Sequence, residues 1–378
     1  DLKTNIMNRY IFLLMVLAGS FALTGCNGDA QKSAPLIGKS TAVPESDLLS
    51  ASVLNQFGRV SDPQVSPNGE KVVYGISYIS VEQNKSNREL FVVNTDGSNN
   101  RQITHTSENE SNARWLDNNH ILFLSKGKLW VMRADGTGKK QINGTERSIS
   151  AFSLSPTGDN ILFISSIPWG TKPTDLDPSL DKATGRIIDD LMYRHWDCFV
   201  EEIPRSFVAS FDGTRLSNEI DLLEGQPYEL PTLPFGGIDE LSWSPDGKSI
   251  AYSCRKLTGV EYALSTNTDI YLYNLETGSE ENLSQGMMGY DTTPLFSPCG
   301  EYLVWNSMER GGYEADKNRL MLYSFRDGSI KDLTANFRYN VNNATWMPNS
   351  RGLYFTSCAE GVTHVFVLDL ATEKIGQI

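Results

Sequence analysis

Trp243-Ser244-Pro245-Asp246-Gly247-Lys248-Ser249-Ile250-Ala251-Tyr252 decides the fold, because the chain repeats it. Val65-Ser66-Pro67-Asn68-Gly69-Glu70-Lys71-Val72-Val73-Tyr74, Leu154-Ser155-Pro156-Thr157-Gly158-Asp159-Asn160-Ile161-Leu162-Phe163 and Phe296-Ser297-Pro298-Cys299-Gly300-Glu301-Tyr302-Leu303-Val304-Trp305 are close copies. Degenerate copies begin at Trp115-Leu116-Asp117 and Trp346-Met347-Pro348-Asn349. Pro followed by a polar residue and Gly sets a tight turn, and apolar alternation on both sides makes that turn a hairpin between half-buried strands. A second phrase follows each copy. Leu90 to Gly97 leads to Arg101-Gln102-Ile103-Thr104, Leu129 to Gly136 to Gln141-Ile142-Asn143, Ile270 to Gly278 to Asn282-Leu283-Ser284, and Leu320 to Gly328 to Asp332-Leu333-Thr334.

Each unit therefore holds four strands joined by short turns. The residues before the turn, at 65, 115, 154, 243, 296 and 346, stand 50, 39, 89, 53 and 50 apart. A radial array of four-stranded units at this spacing is a β-propeller, an all-β fold. About six blades are expected over 59–378, the last of them truncated, because the chain stops at Gln377-Ile378 in the register of Gln102-Ile103 and Gln141-Ile142. A broken strand leaves unpaired donors and acceptors, so the parent reading frame is expected to continue beyond Ile378.

The step of 89 is the irregular one. Residues 164–207 hold no second Ser-Pro-x-Gly turn; they run through Pro168-Trp169-Gly170 and an acidic stretch to Tyr193-Arg194-His195-Trp196-Asp197-Cys198-Phe199-Val200-Glu201-Glu202. An excursion over 165–205, between the second and third strands of the third blade, is expected. Long insertions in repeat folds gather on a functional face.

Ahead of the repeats, Met7 to Cys26 reads as an address label. Arg9 gives a positive start, Tyr10 to Ala22 an apolar stretch too short to span a bilayer, and Leu23-Thr24-Gly25-Cys26 an ending similar to the lipobox of bacterial lipoproteins, with Cys26 the acylated residue. An incidental Cys in an ordinary secretory signal is the alternative. Asp1 to Ile6 read as upstream sequence, 26–45 as a tether, and 46–58 as a short helix before the first blade. Asn27 after the Cys favours the outer membrane, facing the periplasm.

Over the 378 residues, 33 Lys+Arg against 46 Asp+Glu give a net charge of −13, which excludes a phosphate-backbone binder of nucleic acid. Four His, at 105, 120, 195 and 364, are too scattered for a metal site, so no metal or other cofactor is expected and a metal-dependent propeller lyase is remote. Cys198, Cys254, Cys299 and Cys358 form no disulfide framework by spacing; Cys254 and Cys358, at strand ends, read as small buried hydrophobes.

Gly58 to Gly69, Asn87-Arg88-Glu89-Leu90-Phe91-Val92 and above all Tyr193-Arg194-His195-Trp196-Asp197 resemble the propeller half of bacterial serine peptidases. The branch is that of dipeptidyl peptidase 5 and acylaminoacyl peptidase within the prolyl oligopeptidase family, and the resemblance covers about 46–378. It implies an α/β-hydrolase domain, following in the parent protein, that carries a Ser-Asp-His triad. This chain has no Gly-x-Ser-x-Gly segment, so by itself it supplies no nucleophile elbow and is expected to be inactive alone. The implied activity is release of dipeptides or acylated amino acids from short peptides, with the propeller gating entry.

A free peptide amine is a cation and needs a carboxylate in a partly desolvated site. Glu201-Glu202 resembles the glutamate pair with which related dipeptidyl peptidases hold that amine; a solvated acidic pair is the other reading. Tyr193 and Trp196 read either as an apolar substrate subsite or as core. Arg194, His195 and Asp197 read as an internal polar cluster shaping the excursion. A second class remains open, a non-enzymatic TolB-like envelope scaffold, although such proteins carry an α/β domain ahead of the propeller and only 27–62 precede the first blade here.

Overall fold

In the computed structural model the structure describes residues 36–44 and 46–378, so Cys26 and the signal-like segment lie outside the described residues. Six four-stranded antiparallel sheets follow one another as the blades of a β-propeller, at 59–102, 110–141, 151–221, 241–282, 291–332 and 342–377.

The repeated phrase earns its residues one by one. In the fourth blade Ser244 Oγ accepts from Ser249 N at 2.9 Å while Ser244 N donates to Ser249 O at 2.9 Å. Gly247, at φ +70°, sits in the left-handed region that closes the turn. Ser66, Ser155 and Ser297 repeat the side-chain bond to Lys71, Asn160 and Tyr302. The far ends of three blades share a second device. Thr104, Ser284 and Thr334 accept, through Oγ1, Oγ and Oγ1, from the amides of Leu90, Ile270 and Leu320, so in blades one, four and five a residue just past the fourth strand bonds the third. The first strands of four blades also carry a bulge, with Asp62, Asn112, Thr293 and Asn343 at positive φ.

The core is a series of apolar seams between successive blades. Leu90, Trp115 and Phe123 join blades one and two, Leu122, Phe152 and Phe207 two and three, and Leu162, Trp243 and Tyr252 three and four. Ile270 and Trp305, then Leu320 and Phe355, continue to blades five and six. Indole N–H groups add cross-blade bonds, from Trp115 to Gln64 O at 2.9 Å and from Trp346 to Leu295 O at 3.1 Å. Among the described residues none of these buried clusters joins blade six to blade one. Tyr354 and Val365 of blade six are accordingly exposed, as are Val60 and Val65 of blade one.

Four sequence expectations are corrected. The sixth blade is not cut short: Ile375–Gln377 pairs with Phe366, Val367 and Leu368 and is as long as Glu280–Asn282 and Ile330–Asp332. Fourth strands here are short by habit, so a chain stopping there looked mid-strand. The helix expected over 46–58 is one turn, Ala51–Leu54, capped by Ser50 and burying nothing. Cys254 is buried, but Cys358 is exposed, because it alternates with Ser357 onto the face of blade six that no blade covers. The excursion is narrower, 169–201, since the strands Asn160–Pro168 and Glu202–Phe211 pair along their whole length. The surplus in the long step is shared with the crossover 222–240, about twice the length of 142–150 or 283–290.

Candidate functional site

Antiparallel order puts every connection of one kind at the same end of the blades. The Ser-Pro-x-Gly turns and the third-to-fourth-strand turns lie on one face. The second-to-third-strand connections and the crossovers between blades lie on the other, with the excursion 169–201, the crossover 222–240, the loop 255–268 and the loop 308–318. Arg59, where the chain enters the first strand, and Gln377, where it leaves the last, belong to that same face by strand direction.

The excursion is seated there by Met192, Ile203 and Tyr262, with Trp169 and Leu257 against them. Its two-stranded hairpin, Arg194–His195 with Cys198–Phe199, turns on Trp196 and Asp197. Trp196 has φ +48°, a conformation that glycine adopts cheaply and a bulky residue does not. The indole is 72% exposed and meets Phe235 edge-on, ring centroids 5.4 Å apart.

Trp196 overhangs a cavity of about 680 Å³ lined by Leu233, Phe235, Arg255, Tyr262, Tyr290 and Glu314, among others. Behind its wall lies Glu229, whose side chain is 1% exposed. Glu229 Oε1 accepts from Tyr262 Oη at 2.7 Å and Leu233 N at 3.1 Å, while Oε2 lies 3.3 Å from His195 Nε2. One buried carboxylate thus fastens the helix Gly259–Leu264, the crossover and the excursion hairpin. A second, Glu240, accepts from Thr232 N at 3.1 Å, and burial pushes its carboxyl up to about 8, so it keeps its proton at neutral pH.

The other expected residues fall elsewhere. Glu201 is 61% exposed at its side chain and pairs with Arg186 at 2.8 Å; Glu202, also exposed, opens the third strand of the blade opposite Pro168. Tyr193 and Glu201 line a separate cavity of about 480 Å³ inside the excursion, so Tyr193 and Trp196 face different spaces. Arg194 lies over the Phe199 ring, Asp197 accepts from the Cys198 thiol at 3.4 Å, and His195 reaches out to Glu229, so these three do not bond to one another. Sequence reasoning missed Glu229, Glu240, Arg255 and Tyr262, which carry no motif. The long, proline-rich crossover Glu229-Leu230-Pro231-Thr232-Leu233-Pro234-Phe235 was the available signal. Among the described residues no three His, Cys, Asp or Glu side chains are grouped to hold a metal ion.

No protein-family model matches the chain. Dipeptidyl-peptidase 5 of Porphyromonas gingivalis is 44% identical over 379 residues, covering 98% of this chain and 53% of that protein. The chain spans about half the length of the curated relatives it matches. In fold it is similar to the acylaminoacyl peptidase of Pyrococcus horikoshii, with a TM-score of 0.61 at 19% identity over 86% of this chain and 46% of that one. It is also similar to the β-propeller domain of the Trilobed protease from Pyrococcus furiosus, with a TM-score of 0.52 at 16% identity over 85% and 83%.

Proposed function

We propose, from a chain that is by homology the propeller of a dipeptidyl-peptidase 5 type protein, that it admits and orients short peptides for a serine exopeptidase domain supplied by the rest of the parent. One observation carries this reading. The excursion, the 680 Å³ cavity and both ends of the propeller strands share one face, so a domain joined at either end would begin on the face that bears the cavity. Clefts at such domain junctions are where small ligands are usually held.

Acyl transfer needs a nucleophile, a base and oxyanion donors, and these belong to the α/β-hydrolase domain of the parent. The propeller's part is selection. Glu201 and Glu202 are the candidate anchors for the peptide amine, with Arg186 the cation that the amine displaces from Glu201. In the whole protein, Glu201→Gln and Glu202→Gln should raise KM for substrates with a free amino terminus far more than for N-blocked ones. Equal effects on both substrate classes would assign the acidic pair to structure and favour an acylaminoacyl-type preference.

The same reading puts the protein in the cell envelope, anchored by lipid on Cys26 at the outer membrane and facing the periplasm. Metabolic labelling with palmitate should mark the protein and not its Cys26→Ser variant; equal labelling of both removes the anchor.

A further inference from the structure

Every arginine that is not exposed among the described residues donates its guanidinium to a protein oxygen, with one exception. Arg114 binds Asp62 at 2.9 Å, Arg205 binds Asp221 at 2.9 Å and Gln226 O at 2.9 Å, and Arg147 pairs with Glu219 at 2.5 Å. Arg88 donates to Ser61, and Arg319 to Ser307 and Met308. Arg255 is the exception. Its guanidinium makes no ion pair and no hydrogen bond, and its Nε is buried without a partner. It lies over the face of Tyr262, 4.8 Å from the ring centroid.

Nearby carboxylates do not fill the gap. Glu229 is occupied by Tyr262, Leu233 N and His195. Glu240 holds a backbone amide and keeps its proton near neutrality. Glu314 and Asp239 are exposed, and neither forms an ion pair. A half-buried guanidinium facing a cavity presents a planar fork of donors that matches a carboxylate, and leaving such donors unpaired is costly. The rest of the wall is aromatic, with Trp196, Phe235, Tyr262 and Tyr290. The pocket therefore suits a ligand that joins one anionic group to a bulky apolar body.

We propose that Arg255 is a specificity-determining residue that holds a carboxylate of the bound peptide in this cavity, with Trp196 and Phe235 covering the adjoining apolar side chain. This rests on the reading of the chain as a peptide-handling propeller. The carboxylate is either the free C-terminus of a short peptide or an acidic side chain, and both present the same two oxygens to the fork.

Three probes separate these sources, all blocked at the amine so that the Glu201 and Glu202 assignment plays no part: N-acetyl-Gly-Phe, its C-terminal amide, and N-acetyl-Asp-Phe-amide. Titrated calorimetrically into the 378-residue chain, a carboxylate-bearing probe should bind about tenfold or more tighter than the probe that has none. Preference for the first acid assigns the C-terminus, and preference for the third assigns the side chain. Arg255→Gln should abolish the ratio and Arg255→Lys should keep part of it, with both variants melting cooperatively. Equal binding of all three probes, or a ratio that survives Arg255→Gln, overturns the proposal and leaves the peptide reading standing. Binding of none also overturns the proposal, and the peptide reading is then decided by the separate kinetics of Glu201→Gln and Glu202→Gln on substrates with a free amine.

Discussion

Tyr262 Oη donates to Glu229 Oε1 across 2.7 Å, and this bond joins the helix of blade four to the crossover that precedes the blade. The partners are buried, so their geometry matters more than the small net worth of an average hydrogen bond. Burial, together with the Glu229 charge, pushes the Tyr262 phenol above its ordinary range, which keeps it a donor around neutral pH. Through His195 the same carboxylate reaches the excursion hairpin, so the cavity wall and its overhang share one fastening.

Tyr262→Phe removes the donor and keeps the ring. Glu229 Oε1 is then left with Leu233 N alone, and the expected loss of stability is about 1–3 kcal/mol, read as a lower urea midpoint with an unchanged slope. Glu229→Gln keeps an acceptor for Tyr262 and should cost less. If Tyr262→Phe is no worse than Tyr313→Phe at an exposed site, the fastening has no energetic weight.

Ser244→Ala tests why the repeated phrase contains serine. The substitution strips the acceptor from Ser249 N and the donor from Asp246 Oδ1, at 2.9 and 2.6 Å. A loss of about 0.5–1.5 kcal/mol is expected, and Ser66→Ala should add independently, since the two turns share no partner. Chemical denaturation of both single variants and the double variant decides it. A neutral result would assign the serine to the unfolded chain or to chance.

The propeller was legible because each residue of that phrase has its own local reason: serine to bond the strand beyond the turn, proline to set φ, glycine for positive φ. Local causes leave marks in sequence at fixed spacing. The cavity was not legible, because Trp196, Glu229, Arg255 and Tyr262 come from three connections whose meeting depends on the stacking of blades three and four. The excursion that holds Trp196 did announce itself, by the step of 89 and by its aromatic run. The reach of His195 to Glu229 did not, since no spacing rule links a hairpin to the next crossover.

Trp196 offers a test that controls for the lost indole. Trp196→Ala and Trp196→Gly both remove the contact with Phe235, but only glycine relieves the backbone at φ +48°. Trp196→Gly should therefore melt above Trp196→Ala, by an amount equivalent to about 0.5–1 kcal/mol. Both should weaken probe binding in the 680 Å³ cavity alike. The reverse order of melting would show that the hairpin turn is not strained by its tryptophan.

Glu240 sets a pH dependence opposite in sign to that of a salt-bridged carboxylate. Its folded value of about 8 stands above the ordinary 4.5, so between those limits the folded state holds a proton that the unfolded state has lost. Stability is then greatest at the acid side of the window and declines as pH rises through it, by at most about 1.4 kcal/mol per pH unit. Asp291, buried and raised to about 6, adds a decline of the same sign, but only at lower pH. Burial raises Glu110 and Asp269 as well, so the share of Glu240 is read as the difference between the parent and a Glu240 variant from about pH 6 to 8. Glu240→Gln, which keeps an acceptor for Thr232 N, should flatten the fall of the urea midpoint across that interval and make the protein more stable than the parent at pH 8. An equal slope in both proteins would mean that Glu240 is ionised in the fold, and Arg255 would then have an anion beside it rather than an open fork.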